Sequence, residues 1–130
     1  MKQDRFILPE RLRELFHPRS IALVGATDAS RWSVSTFENL KHFGFAGPIY
    51  CVNPNHTLVH GQPAVKRLSE ISHSQPVDLA FIMVPTPLAY PILEQALVNL
   101  AQQHEMILLG PNGNGFINVV CQIVPYGLPI

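Results

Sequence analysis

The chain has 130 residues, enough for one domain with one hydrophobic core, which excludes a multi-domain enzyme within these residues. Nine basic and nine acidic residues give a net charge of zero, so there is no strong field to attract nucleic acid or an anionic membrane. Hydrophobic residues make up 47% and charged residues 14% of the chain, a composition that excludes a disordered protein.

Elements can be predicted in chain order from the apolar runs and their stops. A short amphipathic helix is predicted at Glu10–Phe16. It belongs to an N-terminal helical segment, residues 1–18, that precedes the sheet. Continuous apolar runs, typical of buried parallel strands, lie at Ser20–Val24, Pro48–Val52, Val77–Val84 and Met106–Leu109. Helical spacing is found at Ser33–Phe43, which stops at Gly44, at Leu88–Glu105 and, for a turn or two, at Val65–Ile71. This alternation predicts an α/β domain with a Rossmann-like, doubly wound parallel sheet in three α/β/α layers.

Charged side chains are concentrated in the first half of the chain. No Lys or Arg follows Arg67, although a closed domain normally carries both signs of charge on its surface. We therefore expect the second half to lie deep in the sheet or to face a partner. The two cysteines, Cys51 and Cys121, are far apart and are predicted to be reduced core thiols. The charged N-terminus is not a signal peptide, and no apolar run approaches the roughly 18 residues of a membrane span, so we expect a cytoplasmic location.

The loops that follow the predicted strands are the first place to look for a ligand, because doubly wound sheets bind ligands beyond the carboxyl ends of their strands. These loops are Gly25–Ser30, Asn53–His56, Pro85–Pro87 and Gly110–Gly115. All are rich in Gly, Pro, Asn and small hydroxyl residues, which expose backbone amides and allow close approach. The pattern predicts a phosphate-bearing ligand.

Two common classes of phosphate ligand fit the loops poorly: the nicotinamide dinucleotides and the nucleotides that P-loop enzymes bind. The first loop lacks the second and third glycines of the dinucleotide fingerprint G-x-G-x-x-G, and no acidic residue follows the second strand to hold a ribose. NAD and NADP are therefore disfavoured. A G-x-x-x-x-G-K-[ST] loop is absent from the sequence, which excludes a P-loop enzyme.

Four motifs in the same order resemble the coenzyme A-binding domain of NDP-forming acyl-CoA synthetases, which is related to the α subunit of succinyl-CoA synthetase. They are Leu15–Thr27, Gly44–Pro54, Val77–Pro85 and Gly110–Asn118, and the likeness covers nearly the whole chain. The resemblance implies a single domain over residues 1–130 that binds coenzyme A across its strand ends.

The resemblance also implies the site residues. The nucleotide and phosphates are expected on Gly25, Ala26, Thr27, Asp28, Ala29 and Ser30, with charge added by Arg31. Beside them are expected Val52, Asn53, Pro54 and His56, and His56 stands where the family has a basic residue. Val84, Pro85 and Thr86 would flank the adenine or pantetheine, and Asn112 would be a polar contact near the thioester.

The sequence departs from the family in two ways. After Pro91 one strand and helix, a unit of about 30 residues, is missing, and its loop belongs to the family's coenzyme A site. The chain also ends where the family's next domain begins, so residues 119–130 are expected to start a linker and no catalytic residue is expected. In the complete enzyme, catalytic and nucleotide-grasp domains or subunits would use ATP or GTP. A homo-oligomer is also among the expected partners. The alternative is a regulatory or interaction module that binds an NAD-type nucleotide or a protein partner.

Several single residues have competing interpretations. His56 and His60 stand four apart but have no third ligand nearby, so a metal site is disfavoured. Asp28 is predicted to cap a helix in preference to acting as a general base. Asp78 is predicted to be structural, whereas Trp32 is suited either to stacking on adenine or to packing at the helix entrance.

Overall fold

The computed structural model describes residues 9–71, 74–83 and 107–109. Two α-helices are seen, α1 at Pro9–Phe16 and α2 at Arg31–His42, together with a short 3-10 helix at Leu68–Glu70. The six strands are β1 at Ile21–Val24, β2 at Ile49–Val52, β3 at Leu58–Val59, β4 at Gln62–Val65, β5 at Leu79–Ile82 and β6 at Ile107–Leu109. The predicted first helix and the four predicted strands are confirmed, and each of their ends lies within two residues of its predicted position.

The strands form one sheet in the order β3-β4-β2-β1-β5-β6. β1 pairs in parallel with β2 on one side and with β5 on the other. β4 and β6 extend the parallel sheet outward, and β3 is antiparallel to β4 at the edge. The chain thus proceeds from β1 toward both edges, which is the order of a doubly wound, Rossmann-like fold. The predicted fold class is confirmed, with an added antiparallel edge strand.

The continuous apolar runs are explained by coverage on both faces of the sheet. All four residues of β1 and all four of β5 are buried. Side chains alternate between two core clusters: Leu23 and Phe81 lie in one, and Ala22 and Ala80 in the other. A strand covered on both faces cannot carry a polar side chain at every second position.

Helix α2 begins two residues before its predicted start. Ser30 is its N-cap and accepts a hydrogen bond from the Ser33 N–H with its side-chain oxygen. The prediction that Asp28 caps a helix is wrong, because Ser30 stands next to the first helical residue and Asp28 turns toward another segment. The helix ends as predicted, with Gly44 at a φ of 81° just after Phe43.

The segment between β2 and β5 contains a hairpin that the sequence pattern did not predict. β3 and β4 pair with Val59 opposite Gln62, so His60 and Gly61 form a two-residue turn with φ values of 52° and 73°. Positive φ at both central residues matches the twist of a hairpin. The helical turn predicted at Val65–Ile71 is reduced to the 3-10 helix at Leu68–Glu70.

At the amino ends of β1 and β5, a carboxylate joins the two strands. Asp78 accepts from the backbone N–H and Nε of Arg19, both at 2.8 Å, and from a terminal guanidinium nitrogen at 2.9 Å. The Arg19 side-chain hydrogen bond holds the pKa of Asp78 below its ordinary value. The predicted structural role of Asp78 is therefore confirmed, at the end of the sheet opposite the candidate site.

β6 pairs directly with β5, so the sheet is continuous at the position of the missing strand and helix. The helix predicted at Leu88–Glu105 and the linker predicted at 119–130 lie outside the described residues. Within the residues that are described, no helix is long and apolar enough to cross a membrane.

Candidate functional site

The loops after β1 and β2 are fastened together at the carboxyl ends of the strands. The Gly25 N–H donates to the Val52 carbonyl at 2.9 Å. The Asn53 side chain, in a residue only 7% exposed, donates from Nδ2 to the Ala26 carbonyl at 2.8 Å. Gly25 has a φ of 86°, a conformation that residues with a Cβ seldom adopt. Two of the four loops predicted to carry a ligand, Gly25–Ser30 and Asn53–His56, therefore form one surface.

Asn53 also shapes the second loop. Its Oδ1 accepts from the backbone N–H of Asn55 at 2.8 Å and of His56 at 3.1 Å. Pro54, Asn55 and His56 are exposed. His56 is therefore held at the candidate site by its backbone N–H, and the residue is exposed.

A chain of three side chains joins the first loop to the hairpin turn. His60 Nδ1 lies 2.9 Å from Asp28 Oδ1, and the His60 N–H donates to the same oxygen at 3.0 Å. His60 Nε2 lies 2.8 Å from Ser33 Oγ, which also accepts from the Thr27 N–H at 2.9 Å. Sequence reasoning missed this role of His60, since the hairpin that brings it to the loop was not predicted.

The hydrogen positions in this network follow from what each group can do. An ionised carboxylate only accepts, so Nδ1 of His60 donates to Asp28 Oδ1, and in the tautomer with its proton on Nδ1 the Nε2 atom accepts from the Ser33 hydroxyl. The connectivity is that of a Ser-His-acid nucleophile. Ser33, however, is only 1% exposed and its oxygen is already bound by the Thr27 amide, so a substrate cannot reach it. The network links the loop to the hairpin.

The start of α2 contributes two further residues. Arg31 is exposed at the first helical position. Trp32 is half-buried and packs edge-on against Phe81, with ring centroids 5.9 Å apart and an angle of 79° between the planes. The contact supports the packing role for Trp32. Its Nε1–H is buried and has no hydrogen-bond partner, as far as the described part of the chain shows.

Beneath the surface, Cys51 is 1% exposed and free, as predicted for a reduced core thiol. Burial raises the pKa of its thiol, an effect that the hydrogen bond from Gln62 Nε2 at 3.2 Å partly offsets. The thiol is therefore protonated and poorly reactive at neutral pH. Residues 9–71, 74–83 and 107–109 hold no cluster of three potential metal ligands.

The structure thus gathers eleven of the expected site residues at one end of the sheet. They are Gly25, Ala26, Thr27, Asp28, Ala29, Ser30, Arg31, Val52, Asn53, Pro54 and His56. The expected residues Val84, Pro85, Thr86 and Asn112 lie outside the described residues, as does Cys121.

Comparison with known proteins gives a family match. The family model described as a CoA binding domain matches residues 19–112, which include β1, α2, the hairpin and both fastened loops. Among curated proteins, an ADP-forming acetate-CoA ligase II of Archaeoglobus fulgidus is 26% identical over an alignment covering 90% of this chain and 21% of the ligase. The α subunit of the ADP-forming acetate-CoA ligase II of Pyrococcus furiosus is 30% identical, with 79% of this chain and 28% of the subunit covered.

A solved structure agrees with the sequence relatives. The dinucleotide forming acetyl-coenzyme A synthetase 1 of Ca. Korarchaeum cryptofilum, in complex with phosphate and ADP, superposes with a TM-score of 0.64 at 25% identity. The match covers 91% of this chain and 31% of that one. The chain therefore spans about a fifth to a third of the length of these relatives.

The alignments also support the absence of one strand and helix from this chain. The alignment with the Archaeoglobus ligase spans 146 positions but takes in 90% of this 130-residue chain, about 117 residues, so about 29 positions have no counterpart here. That difference is the size of one strand and helix. With a family match over most of its length, the chain belongs to the CoA binding domain family and corresponds to the coenzyme A-binding domain of NDP-forming acyl-CoA synthetases.

Proposed function

We propose that this chain binds coenzyme A at the carboxyl ends of β1, β2 and β5 and does not catalyse ligation by itself. The observation that carries the proposal is the union of the Gly25–Ser30 and Asn53–His56 loops into one surface by the Asn53–Ala26 hydrogen bond. Both loops fall within the family match, and the surface stands at the sheet end where doubly wound folds bind ligands.

The chemistry of the surface suits a phosphate-bearing ligand. Gly25 permits close approach of a ligand to the backbone, and α2 begins directly after the first loop, with the positive end of its dipole toward the loop. Arg31, exposed at the first helical residue, is placed to add positive charge. Val84, Pro85, Thr86 and Asn112 are proposed to complete the site toward the pantetheine and thiol.

The catalytic steps are proposed to belong to neighbouring domains or subunits. One relative is itself an α subunit of an ADP-forming ligase, and a solved relative is in complex with phosphate and ADP. We propose that such partners form the acyl phosphate from a carboxylic acid with ATP or GTP, and that this chain presents the coenzyme A thiol. Incubation of the isolated chain with acetate, ATP and coenzyme A, followed by chromatography, is then expected to give no acetyl-CoA.

An amide NMR titration of the whole chain with coenzyme A tests the binding proposal, with NAD as the matched ligand. We expect shifts at Gly25–Ser30, Asn53–His56 and Val84–Thr86 with coenzyme A and none with NAD. Shifts with NAD alone would support the regulatory, dinucleotide-binding alternative. A dispersed spectrum that neither ligand changes would contradict the proposal and favour a protein-interaction module.

A further inference from the structure

His60 is held at the candidate site in a strained conformation. Its φ of 52° makes it the one residue other than glycine with a positive φ among those the structure describes, and this region is costly for a residue with a Cβ. The side chain is 3% exposed, and its ring stacks on Phe37 with the ring centroids 5.0 Å apart and 24° between the planes. The imidazole is therefore fixed beside the Gly25–Ser30 loop.

Two N–H groups of His60 converge on a single oxygen. The backbone N–H and Nδ1 lie 3.0 Å and 2.9 Å from Asp28 Oδ1. Two donors aimed at one oxyanion can equally bind a phosphate oxygen. The Asp28 side chain is 65% exposed, so it can turn into solvent without burying its charge. The carboxylate thus fills a position that a ligand oxyanion can occupy.

Other charged or titratable groups near the imidazole are few in the described part of the chain. On α2, Lys41 Nζ lies 5.9 Å from the centroid of the Phe37 ring. On β2, the pKa of the Cys51 thiol is raised by burial and, to a smaller extent, by the charge of Asp28. An anionic group beside an imidazole favours the protonated form of the ring, and histidine ordinarily changes charge between pH 5 and 8.

We infer that His60 is the cationic contact for a phosphate group of coenzyme A and that Asp28 holds this position until the phosphate replaces it. The inference rests on the proposed coenzyme A site. A phosphate monoester carries more negative charge than a carboxylate, and the displaced Asp28 stays on the same loop. The imidazole therefore takes up a proton on binding, and by linkage the affinity for coenzyme A rises as the pH falls from 8 to 6.

Isothermal titration calorimetry at pH 6 and pH 8 tests this with three variants of the whole chain. His60→Asn removes the titrating ring but keeps a residue that tolerates positive φ. His56→Asn is the matched control, because His56 is the exposed histidine that the family resemblance favours as the cation. Asp28→Asn removes the competing carboxylate. Coenzyme A and its analogue without the 3′-phosphate distinguish a contact to that phosphate from one to the diphosphate.

The protein is expected to bind coenzyme A about five- to tenfold more tightly at pH 6 than at pH 8, below the limit of roughly 100-fold for one proton taken up over two pH units. His60→Asn loses most of this rise, and His56→Asn keeps it. Asp28→Asn binds more tightly than the unmodified chain at pH 8. Titration of the ligand's own phosphate is common to all variants, so the differences among them isolate the protein's contribution.

The outcomes separate the two proposals. Equal pH dependence in the unmodified chain and in His60→Asn overturns the inference and leaves coenzyme A binding in place. Absence of binding at both pH values contradicts the proposed function itself. If His60→Asn loses its dispersed amide spectrum, Asp28→Asn decides, because an unchanged affinity at pH 8 shows that the carboxylate does not compete with the ligand.

Discussion

The Asn53 side chain holds the candidate site together, and exchanging its amide for a carboxyl group tests that role. Its Nδ2 donates to the Ala26 carbonyl at 2.8 Å, and its Oδ1 accepts from the N–H groups of Asn55 and His56. Asn53→Asp keeps the volume and both accepted hydrogen bonds. It removes the donor, however, and sets a carboxylate oxygen against the Ala26 carbonyl oxygen in a buried position.

The magnitude follows from these contacts. A buried acceptor that loses its donor costs about 1–3 kcal/mol, and each unit by which the pKa of the introduced carboxyl is raised adds about 1.4 kcal/mol when it is ionised. We expect Asn53→Asp to lower the free energy of unfolding by about 3 kcal/mol at pH 8. The folded-state pKa of this carboxyl is raised above its unfolded value of about 3.9. The deficit is therefore smallest below pH 4, where the protonated group can donate to Ala26, and grows as the pH rises through that value.

Urea unfolding followed by circular dichroism at pH 4 and pH 8 measures this deficit against the unmodified chain, which cancels the titration of all other groups. Asn53→Ala is the control, because it loses all three side-chain hydrogen bonds and has nothing to titrate. Its deficit is expected to be equal at both pH values. The reasoning is refuted if Asn53→Asp shows the same deficit at pH 4 as at pH 8.

Four other substitutions test separate parts of the structure. Gly25→Ala and Gly44→Ala, at φ values of 86° and 81°, are each expected to destabilise the chain by about 1–2 kcal/mol in thermal unfolding, but only Gly25→Ala is expected to weaken coenzyme A binding in calorimetry. The side-chain hydrogen bond from Arg19 lowers the pKa of Asp78, so this carboxylate contributes stability above its ordinary pKa of about 3.9, which is lost as the pH falls further. Asp78→Asn should be less stable at pH 7 in urea unfolding and should lack that acid-induced loss; an identical acid profile would contradict the pairing. Phe81→Ala, at a fully buried position, should lower the free energy of unfolding by about 3–5 kcal/mol, and a loss below 1 kcal/mol would show that the core collapses around the gap.

The central sheet could be predicted from the sequence because its physical cause is local. The strands β1, β2, β5 and β6 lie within apolar runs that end at Gly, Pro or Asn, and in β1 and β5 burial on both faces leaves no other pattern. The end of α2 was equally readable, since Gly44 adopts the positive φ that a helix terminus needs. The position of the candidate site at the strand ends then followed from the parallel topology alone.

The hydrogen bonds that build the candidate site could not be predicted from the sequence in the same way. β3 has only two residues and β4 contains Pro63, so neither gives a strand pattern. Without the hairpin nothing placed His60 beside Asp28, which is 32 residues away along the chain. Asp28 and Ser30 are both of residue types that cap helices, and only the exact start of α2 decides between them.

The pairing of β5 with β6 is what the absence of one whole strand and helix would leave. The two strands run parallel, with Leu79 opposite Ile107, and residues 83–106 join them. A parallel pair needs a crossover of a dozen or more residues, so loss of a strand alone or a helix alone would leave a connection of the wrong length or direction. When the strand and the helix are both absent, every remaining strand keeps its direction, and β6 satisfies the outer backbone groups of β5.

The alignment fits the absence of such a complete unit, because about 29 of its positions have no counterpart in this chain. The sheet can therefore persist without that unit. In the proposed site the remaining loops, with His60 and Asn53 between them, supply the contacts to coenzyme A.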